Sequence, residues 1–316
     1  MSLPLLSTVH VNANCSDLAR SLAFYRDLVG LSPLSHTRPV PQDGRGFGLP
    51  ARVQWDAHLL HDERGVGGPA VDLLEWQEPR PIGRPASAPN QLGFYRLCLS
   101  HPDVDALHAK MRGAGVRTAA PPAHMTLDRT SGLAVKFFCS FDPDGTCVEF
   151  IEQPGAVRLM HVNVNCRDLD RSTRFYQEVL GLAPLTARSQ PGPVDGRALG
   201  FPGDCSFRAD FLAIPGRTDL IIDLLEWLDP APVGKPAEQA NQLGYFRLAY
   251  LVEDARACCA ELDRLGVAHS GPCWLEMGPE IPIDGLHAVF FRDPDGACLE
   301  LIERPRVAAG STRTAR

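Results

Sequence analysis

Hydrophobic and polar residues alternate in several short stretches of the chain, and the period then changes to that of a helix. Segment 158–165 shows the alternation most clearly, and it predicts a strand with one apolar face and one polar face. The apolar face carries Met160, Val162 and Val164, and the polar face carries His161, Asn163 and Asn165.

A helical spacing follows each strand of this kind. After the first one, Leu18, Leu22 and Tyr25 recur with a helical period, Ser16 is the expected N-cap, and Gly30 lies where a C-terminal cap would fall. More strand-like stretches come next, and after a Pro-rich linker the cycle restarts. We therefore predict strands over 53–60 and 71–76, a linker over 79–89, a strand over 94–99, a helix over 104–113, and strands ending in 136–141 and 146–152.

The whole pattern occurs twice, with an offset of 151 residues between the copies, as from His10 to His161. The same offset relates Asp72-Leu-Leu-Glu-Trp to Asp223-Leu-Leu-Glu-Trp. A repeat of this length indicates one structural unit written twice. We expect a first domain over 1–154, a second over 155–305, and a tail over 306–316. Each half contains two β-α-β-β-β modules, so the predicted fold is α+β with four modules.

Composition narrows the possible partners. The chain has 316 residues, of which 44% are hydrophobic and 22% are charged, as in ordinary globular proteins. Its net charge of -7 gives phosphate backbones and anionic lipids little to attract, so we expect neither nucleic acid nor membrane partners. No secretory leader or membrane-spanning stretch is visible, and the ten Cys form no Cys-x-x-Cys pair. We expect a cytoplasmic monomer or homodimer that acts on a small molecule.

Four polar positions in each half fall on predicted strands, with their side chains on one face. If pairs of modules curl into half-open barrels, these side chains converge on the concave side, where a small-molecule site would form. An imidazole and two carboxylates suit zinc, iron, manganese or nickel. The positions are His10, Asp72, Arg96 and Glu149, and then His161, Asp223, Arg247 and Glu300.

Three sequence features carry a resemblance to a known family. They are the repeated His-Val-Asn start, the helix motif Phe24-Tyr25 to Gly30-Leu31, and the ending Asp-Pro-Asp-Gly-x-x-x-Glu, as in Asp142 to Glu149. With these features the chain resembles the vicinal oxygen chelate superfamily, which includes glyoxalase I, extradiol dioxygenases, epimerases, and fosfomycin and bleomycin resistance proteins. The resemblance implies paired modules forming half-open, barrel-like domains, each with a divalent metal. The implied ligands are His10, Asp72 and Glu149 for one site, and His161, Asp223 and Glu300 for the other.

The chain departs from the family at one position in each half. Metal-binding members usually offer another His on the strand that opens the second module, whereas this chain has Arg96 and Arg247. A guanidinium is protonated and has only donors, so it cannot be an ordinary metal ligand. Two alternatives follow. Either three ligands hold a metal while the Arg grips an oxygen of the substrate, or the Arg bridges the carboxylates directly in a metal-free cup.

The pairing of modules is a second open alternative. The modules can pair within each half, or the chain can be a fused, swapped dimer in which His10 and Asp72 face Arg247 and Glu300. Assignment of Asp72 also depends on strand register, because Glu75 lies nearby on the opposite face.

The sequence is compatible with two functions. The first is a metal-dependent enzyme with isomerase, lyase or dioxygenase chemistry on a small oxygenated metabolite, in which Arg96 and Arg247 act on the substrate. The second is a metal-free binding protein of the resistance type, with an Arg–carboxylate pair in each cup. In both cases we expect amide side chains to line the cups and contact the ligand, namely Asn12, Asn14, Asn163 and Asn165.

Overall fold

Four copies of one β-α-β-β-β module follow one another in the computed structural model, which describes residues 2–128, 133–189, 192–277, 283 and 285–304. The first module comprises β1 (Ser7–Asn14), α1 (Leu18–Leu22) with a π-helical extension (Ala23–Val29), β2 (Ser32–Thr37), β3 (Gln54–His61) and β4 (Ala70–Glu78). The second comprises β5 (Gly93–His101), α2 (Val104–Gly113), β6 (Ala123–Asp128), β7 (Leu133–Phe141) and β8 (Cys147–Glu152).

The second half repeats this order. Its first module comprises β9 (Arg158–Asn165), α3 (Leu169–Glu178), β10 (Ala183–Pro184), β11 (Val194–Asp195), β12 (Asp204–Ala213) and β13 (Ile221–Asp229). Its second comprises β14 (Gly244–Val252), α4 (Ala255–Arg264), β15 (Cys273–Glu276), β16 (Gly285–Arg292) and β17 (Cys298–Glu303). Short 3-10 turns lie at Arg45–Phe47, Gly65–Gly67 and Arg197–Leu199. The predicted α+β class with four such modules is confirmed.

Each sheet takes one module from each half of the sequence. The first sheet has the order β15-β16-β17-β14-β1-β4-β3-β2, and the second has the order β10-β12-β13-β9-β5-β8-β7-β6. The modules join through the antiparallel pairs β1–β14 and β5–β9. The described residues therefore adopt the swapped pairing, one of the two alternatives left open by the sequence. That 1–154 and 155–305 are separate domains stays a prediction.

Helix boundaries follow from local capping chemistry. The side chain of Asp17, not of Ser16, caps α1 by accepting a hydrogen bond from the backbone N–H of Arg20. The expected Ser16 cap is wrong, because its hydroxyl donates to Asp144 of the next module. Gly30 does end the helix, with a φ of 98° that favours glycine.

One hydrophobic core, built from all four modules, lies under both sheets, and each concave face carries its own smaller apolar cluster. Two linkers cross between the sheets side by side: the backbone N–H of Ile82 donates to Asn241, and that of Leu243 donates back to Ile82. Gly93 and Gly244 begin β5 and β14 at φ values of 91° and 93°, where a proline of the opposite linker lies against each of them. None of the helices in the described ranges is long and apolar enough to cross a membrane.

Candidate functional site

A bulge in β14 turns Arg247 toward the concave face of the first sheet. Opposite the single residue Asn12 of β1, strand β14 carries two residues, Phe246 and Arg247. The flanking residues Tyr245 and Leu248 both lie in the main core. Because the extra residue breaks the alternation, Phe246 and Arg247 both face the concave side. Strand β5 of the second sheet has the same irregularity at Tyr95 and Arg96.

The histidines are placed by a second irregularity in the same strands. On β1, Val9 and His10 together stand opposite Ala249, and on β9, Met160 and His161 stand opposite Cys98. A strict alternation places Met160 in the core, but the structure leaves it half-buried. The bulges therefore bring an imidazole and a guanidinium from neighbouring strands into one concave space.

The first cup is the cluster of His10, Asp72, Arg247 and Glu300 on the concave face of the first sheet. Arg247 donates from Nε to Glu300 Oε2 at 2.7 Å and from Nη2 to Asp72 Oδ2 at 2.7 Å. His10 Nε2 lies 3.2 Å from Glu300 Oε2 and 3.8 Å from Asp72 Oδ2. All four residues are buried. The guanidinium thus bridges the two carboxylates directly.

The second cup is the equivalent cluster of Arg96, Glu149, His161 and Asp223 on the second sheet. Arg96 donates from Nε to Glu149 Oε2 at 2.9 Å and from Nη2 to Asp223 Oδ2 at 2.8 Å. His161 Nε2 lies 3.2 Å from Glu149 Oε2. The repeat therefore reproduces the arrangement of the first cup as well as its residue types.

These contacts correct the ligand sets that the resemblance implied for each half. His10 and Asp72 meet Glu300 rather than Glu149, and His161 and Asp223 meet Glu149 rather than Glu300. The physical reason is the swapped pairing, which places the final strand of each half beside the first strand of the other. All eight predicted positions do lie in one of the two cups.

The electrostatics of each cup are dominated by the buried guanidinium. Burial by itself raises the pKa of Glu149, but the charge of Arg96, together with His161, outweighs burial and holds this pKa at about 2. Glu300 has its pKa lowered through the same balance, with Arg247 and His10 as the opposing groups. Both carboxyls are therefore ionised at neutral pH.

One guanidinium nitrogen in each cup is unused. The Nη1 atoms of Arg96 and Arg247 are buried and have no hydrogen-bond partner among the described residues. A buried donor without a partner is costly, so these two atoms are where a ligand oxygen would be accommodated.

A divalent ion does not fit the His, Asp and Glu side chains of either cup as they are placed. Zinc lies about 2.0–2.2 Å from nitrogen and oxygen ligands, so its ligand atoms stand within roughly 4.4 Å of one another. Within the described ranges, neither His10, Asp72 and Glu300 nor His161, Asp223 and Glu149 form a group whose donor atoms all lie within 4.8 Å. The guanidinium separates the carboxylates. One group in the second cup does meet that distance, and it consists of Cys98, Glu149 and His161.

The four predicted amide side chains have different surroundings. Asn12 donates to the backbone and carboxylate of Asp72, and Asn163 does the same to Asp223. These two amides orient the carboxylates that the guanidinium groups bind. Their Oδ1 atoms are buried, with no partner in the described part of the chain, so they remain available to a ligand.

The other two amides bind the linkers. Asn14 donates to the backbone oxygens of Ala240 and Gln242 at 2.7 Å each, and it accepts a hydrogen bond from Trp76. Asn165 does the same with Pro89, Gln91 and Trp227. Ligand contact by all four amides stays a prediction.

Aromatic residues form a wall at one end of each cup. In the first, Phe47 from the turn between β2 and β3 packs on Trp55, Trp76 and Phe290, and its ring centre lies 5.8 Å from the guanidinium carbon of Arg247. Phe47 also borders a cavity of about 590 Å³. Phe47 is not among the predicted site residues, because nothing in its local sequence pattern shows that a loop folds over the cup.

A second aromatic wall stands in the second cup, where Phe201 and Phe207 pack on Trp227.

The thiol of Cys98 is a further site residue that was not predicted. Its only signal in the sequence is that the repeat has Ala249 at the same position.

Comparison with known proteins agrees with this architecture. The sequence profile of the Glyoxalase/Bleomycin resistance protein/Dioxygenase superfamily matches residues 7–150 and 158–301. A lactoylglutathione lyase of Arabidopsis thaliana is 25% identical over 58% of this chain and 57% of its own length, so the match spans little more than half of that relative. A Vibrio parahaemolyticus protein named "Probable lactoylglutathione lyase" is 29% identical over 48% of this chain and 95% of its own length.

A solved structure shows the same fold. Glyoxalase I from Zea mays superposes with a TM-score of 0.63 at 18% identity, covering 94% of this chain and 92% of the maize chain. Since the superfamily profile covers both repeats almost completely, the chain belongs to the Glyoxalase/Bleomycin resistance protein/Dioxygenase superfamily.

Proposed function

We propose that each cup binds a small oxygenated organic anion, with the free guanidinium nitrogen gripping an oxygen of the ligand. The buried and unpartnered Nη1 of Arg247 and Arg96 carries this proposal. Each cup has a formal charge of −1 with a neutral imidazole, so a ligand oxygen would be held by the local charged hydrogen bond from Nη1 and not by a net positive charge of the cup. A carboxylate, carbonyl or enolate oxygen has the required acceptor chemistry.

The imidazole gives the cup chemistry beyond binding. His10 Nε2 is buried and has no hydrogen bond among the described residues, although Glu300 lies 3.2 Å away. A nitrogen in this position can take a proton from a ligand carbon next to the oxygen held by Arg247, and it can return that proton to a neighbouring atom. Glu300 then stabilises the imidazolium, while the guanidinium stabilises the developing oxyanion. This sequence of steps is an isomerisation of a small metabolite in the cytoplasm. On a ligand with a leaving group next to the deprotonated carbon, loss of that group with its electron pair would give a lyase reaction instead.

A metal-dependent isomerase, lyase or dioxygenase is the second candidate. The relatives named as lactoylglutathione lyases favour it, as do the three donor groups of Cys98, Glu149 and His161. In that case a divalent ion would supply Lewis-acid chemistry, and this chain's Arg96 would still hold Glu149 in place. A metal-free sequestering protein differs from both candidates, since it would return its ligand unchanged.

The test is a binding and turnover screen on the full chain with small carboxylates, 2-oxo acids and lactoylglutathione, in buffer with and without a chelator. Arg247→Lys and Arg96→Lys, alone and combined, retain the positive charge but remove the guanidinium group and with it the free Nη1 atom. We expect the double variant to lose at least about tenfold in affinity, which corresponds to the loss of one charged hydrogen bond. Unchanged affinity in a folded double variant would refute the proposal. Recovery of altered ligand by NMR separates the enzyme from the sequestering protein, and loss of turnover with chelator identifies the metal-dependent candidate.

A further inference from the structure

The two cups differ at one position that lies directly beside their catalytic candidates. In the second cup, Cys98 of β5 is paired in the strand ladder with Glu149 on one side and His161 on the other. In the first cup, Ala249 occupies the same place, between Glu300 and His10. The sulfur is thus added to an otherwise repeated arrangement.

We propose that the second cup, and not the first, holds a thiophilic divalent ion such as zinc through Cys98, Glu149 and His161. The donor atoms of these three residues lie within 4.8 Å of one another, so small side-chain movements bring them to one ion. Sulfur, nitrogen and oxygen together form the mixed donor set that zinc accepts, and three protein ligands leave an open position for a ligand molecule. The inference rests on the proposed function, because it assumes that the cups are the functional sites.

Charge explains why the thiol decides between the cups. Binding forms a bond from the sulfur to the ion and releases the thiol proton of Cys98 to solvent. The thiolate, Glu149 and Asp223 then balance the divalent ion and Arg96, and the buried second cup is formally neutral. In the first cup, Ala249 offers no ligand atom, and an ion beside Asp72, Glu300 and Arg247 would leave a net charge of +1 until an anionic ligand joined it.

The position of Arg96 is compatible with this ion. It donates from Nε to Glu149 Oε2 at 2.9 Å and from Nη2 to Asp223 Oδ2 at 2.8 Å, so both contacts are made without using the sulfur or the imidazole. A carboxylate oxygen can accept a hydrogen bond and bind an ion at the same time. Arg96 therefore orients the ligand carboxylate, as hydrogen-bonding partners of metal ligands commonly do.

Cobalt(II) substitution tests the inference, because a cobalt–thiolate bond has a charge-transfer absorption that nitrogen and oxygen ligands lack. Full-length protein stripped with a chelator is titrated with Co(II). We expect one equivalent per chain and a charge-transfer band that Cys98→Ala abolishes. Ala249→Cys is the matched variant, and it should bind a second equivalent and double the band. Cys139→Ala, which removes a neighbouring buried thiol, should leave the band unchanged.

Several results would overturn the inference. A band that survives Cys98→Ala, or no band at saturating Co(II), excludes the sulfur as a ligand. A single equivalent in folded Ala249→Cys excludes the ladder position as the deciding feature. If Cys98→Ala does not fold, Cys98→Ser takes its place and should show bound cobalt without the charge-transfer band. Binding of organic acids is measured separately in chelator, so failure here is distinct from failure of the proposed function.

Discussion

The two cups have the same residue types at four positions but differ in the side chains around those positions. Both have an arginine that bridges an Asp and a Glu, and both have a histidine 3.2 Å from the Glu. The second adds a thiol at Cys98, whereas the first has Ala249 there and Phe47 close to its guanidinium. The shared residues therefore determine which ligand groups both cups can bind, and the neighbouring side chains determine how the chemistry of the two cups differs.

The largest effect should come from removing the bridging arginine. Arg247→Ala and Arg96→Ala each leave two buried carboxylates without a cation, which costs about 3–5 kcal/mol in the free energy of unfolding. Urea denaturation of both variants at pH 7 measures this cost. Because the bridging contacts are the same in both cups, we expect similar losses.

A partial rescue distinguishes charge from packing in this experiment. In the Arg247→Ala background, adding Asp72→Asn removes one uncompensated charge and should recover part of the lost stability. Arg26→Ala is the control, since its pair with Asp27 is exposed and worth little. Equal loss in Arg26→Ala and Arg247→Ala would contradict the account of the cup.

The sequence predicted the repeated framework because the relevant signals are local. Alternation, helical spacing and the offset of 151 gave the four modules, and helix 104–113 was confirmed to the residue as Val104–Gly113. The eight concave positions were also placed in the cups. For His161 the signal is the alternation in 158–165, and for the other seven positions it is the repeat together with the expected strands.

Three features were beyond the sequence for physical reasons. The two halves repeat one sequence pattern, so a module can pair with the other module of its own half or with a module of the other half. The pattern does not distinguish these pairings, and the partner of His10 was left open. The bulges that turn Arg96 and Arg247 inward depend on ladder register, which a single sequence does not contain. Phe47 lies over the first cup because of tertiary packing alone.

Two buried carboxyls outside the cups, Asp142 and Asp293, make equivalent contacts in the two halves. The pH dependence of stability that they cause is therefore a reference against which the cups can be compared. Tyr25 donates to Asp142 and Tyr176 donates to Asp293, in both cases in a buried turn. Burial raises the pKa of each carboxyl to about 6, against the opposing effect of nearby backbone N–H groups. Between about pH 4 and 6 the native state holds a proton that the unfolded state lacks, so stability falls as the pH rises.

We expect each of these carboxyls to contribute up to about 3 kcal/mol to this pH dependence. Asp142→Asn and Asp293→Asn keep an oxygen for the backbone donors, and each should flatten the fall in unfolding free energy between pH 4 and 7 by a similar amount. Urea denaturation across this range measures it. A flattening in only one variant would show that the halves differ outside the cups as well.

The linker amides give a smaller effect that should again be equal in both sheets. Asn14→Ala and Asn165→Ala each leave two linker carbonyls and an indole N–H without their partner. We expect a loss of about 2 kcal/mol in each variant, measured by thermal and urea unfolding. A selective loss of ligand affinity, with stability unchanged, would instead support the prediction that these amides contact the ligand.

The smallest effect is expected where the two cups differ in their loops. Gln42 bonds across the first cup to the backbone of Glu276, donating at 3.1 Å and accepting at 3.0 Å. At the corresponding place in the second sheet, Val194 pairs with Cys205 and offers no side-chain amide. Gln42→Ala should therefore cost about 1 kcal/mol. It should also increase hydrogen exchange in residues 42–53 without changing residues 194–205. If hydrogen exchange in residues 42–53 is the same before and after the substitution, this amide does not hold the loop that carries Phe47 over Arg247.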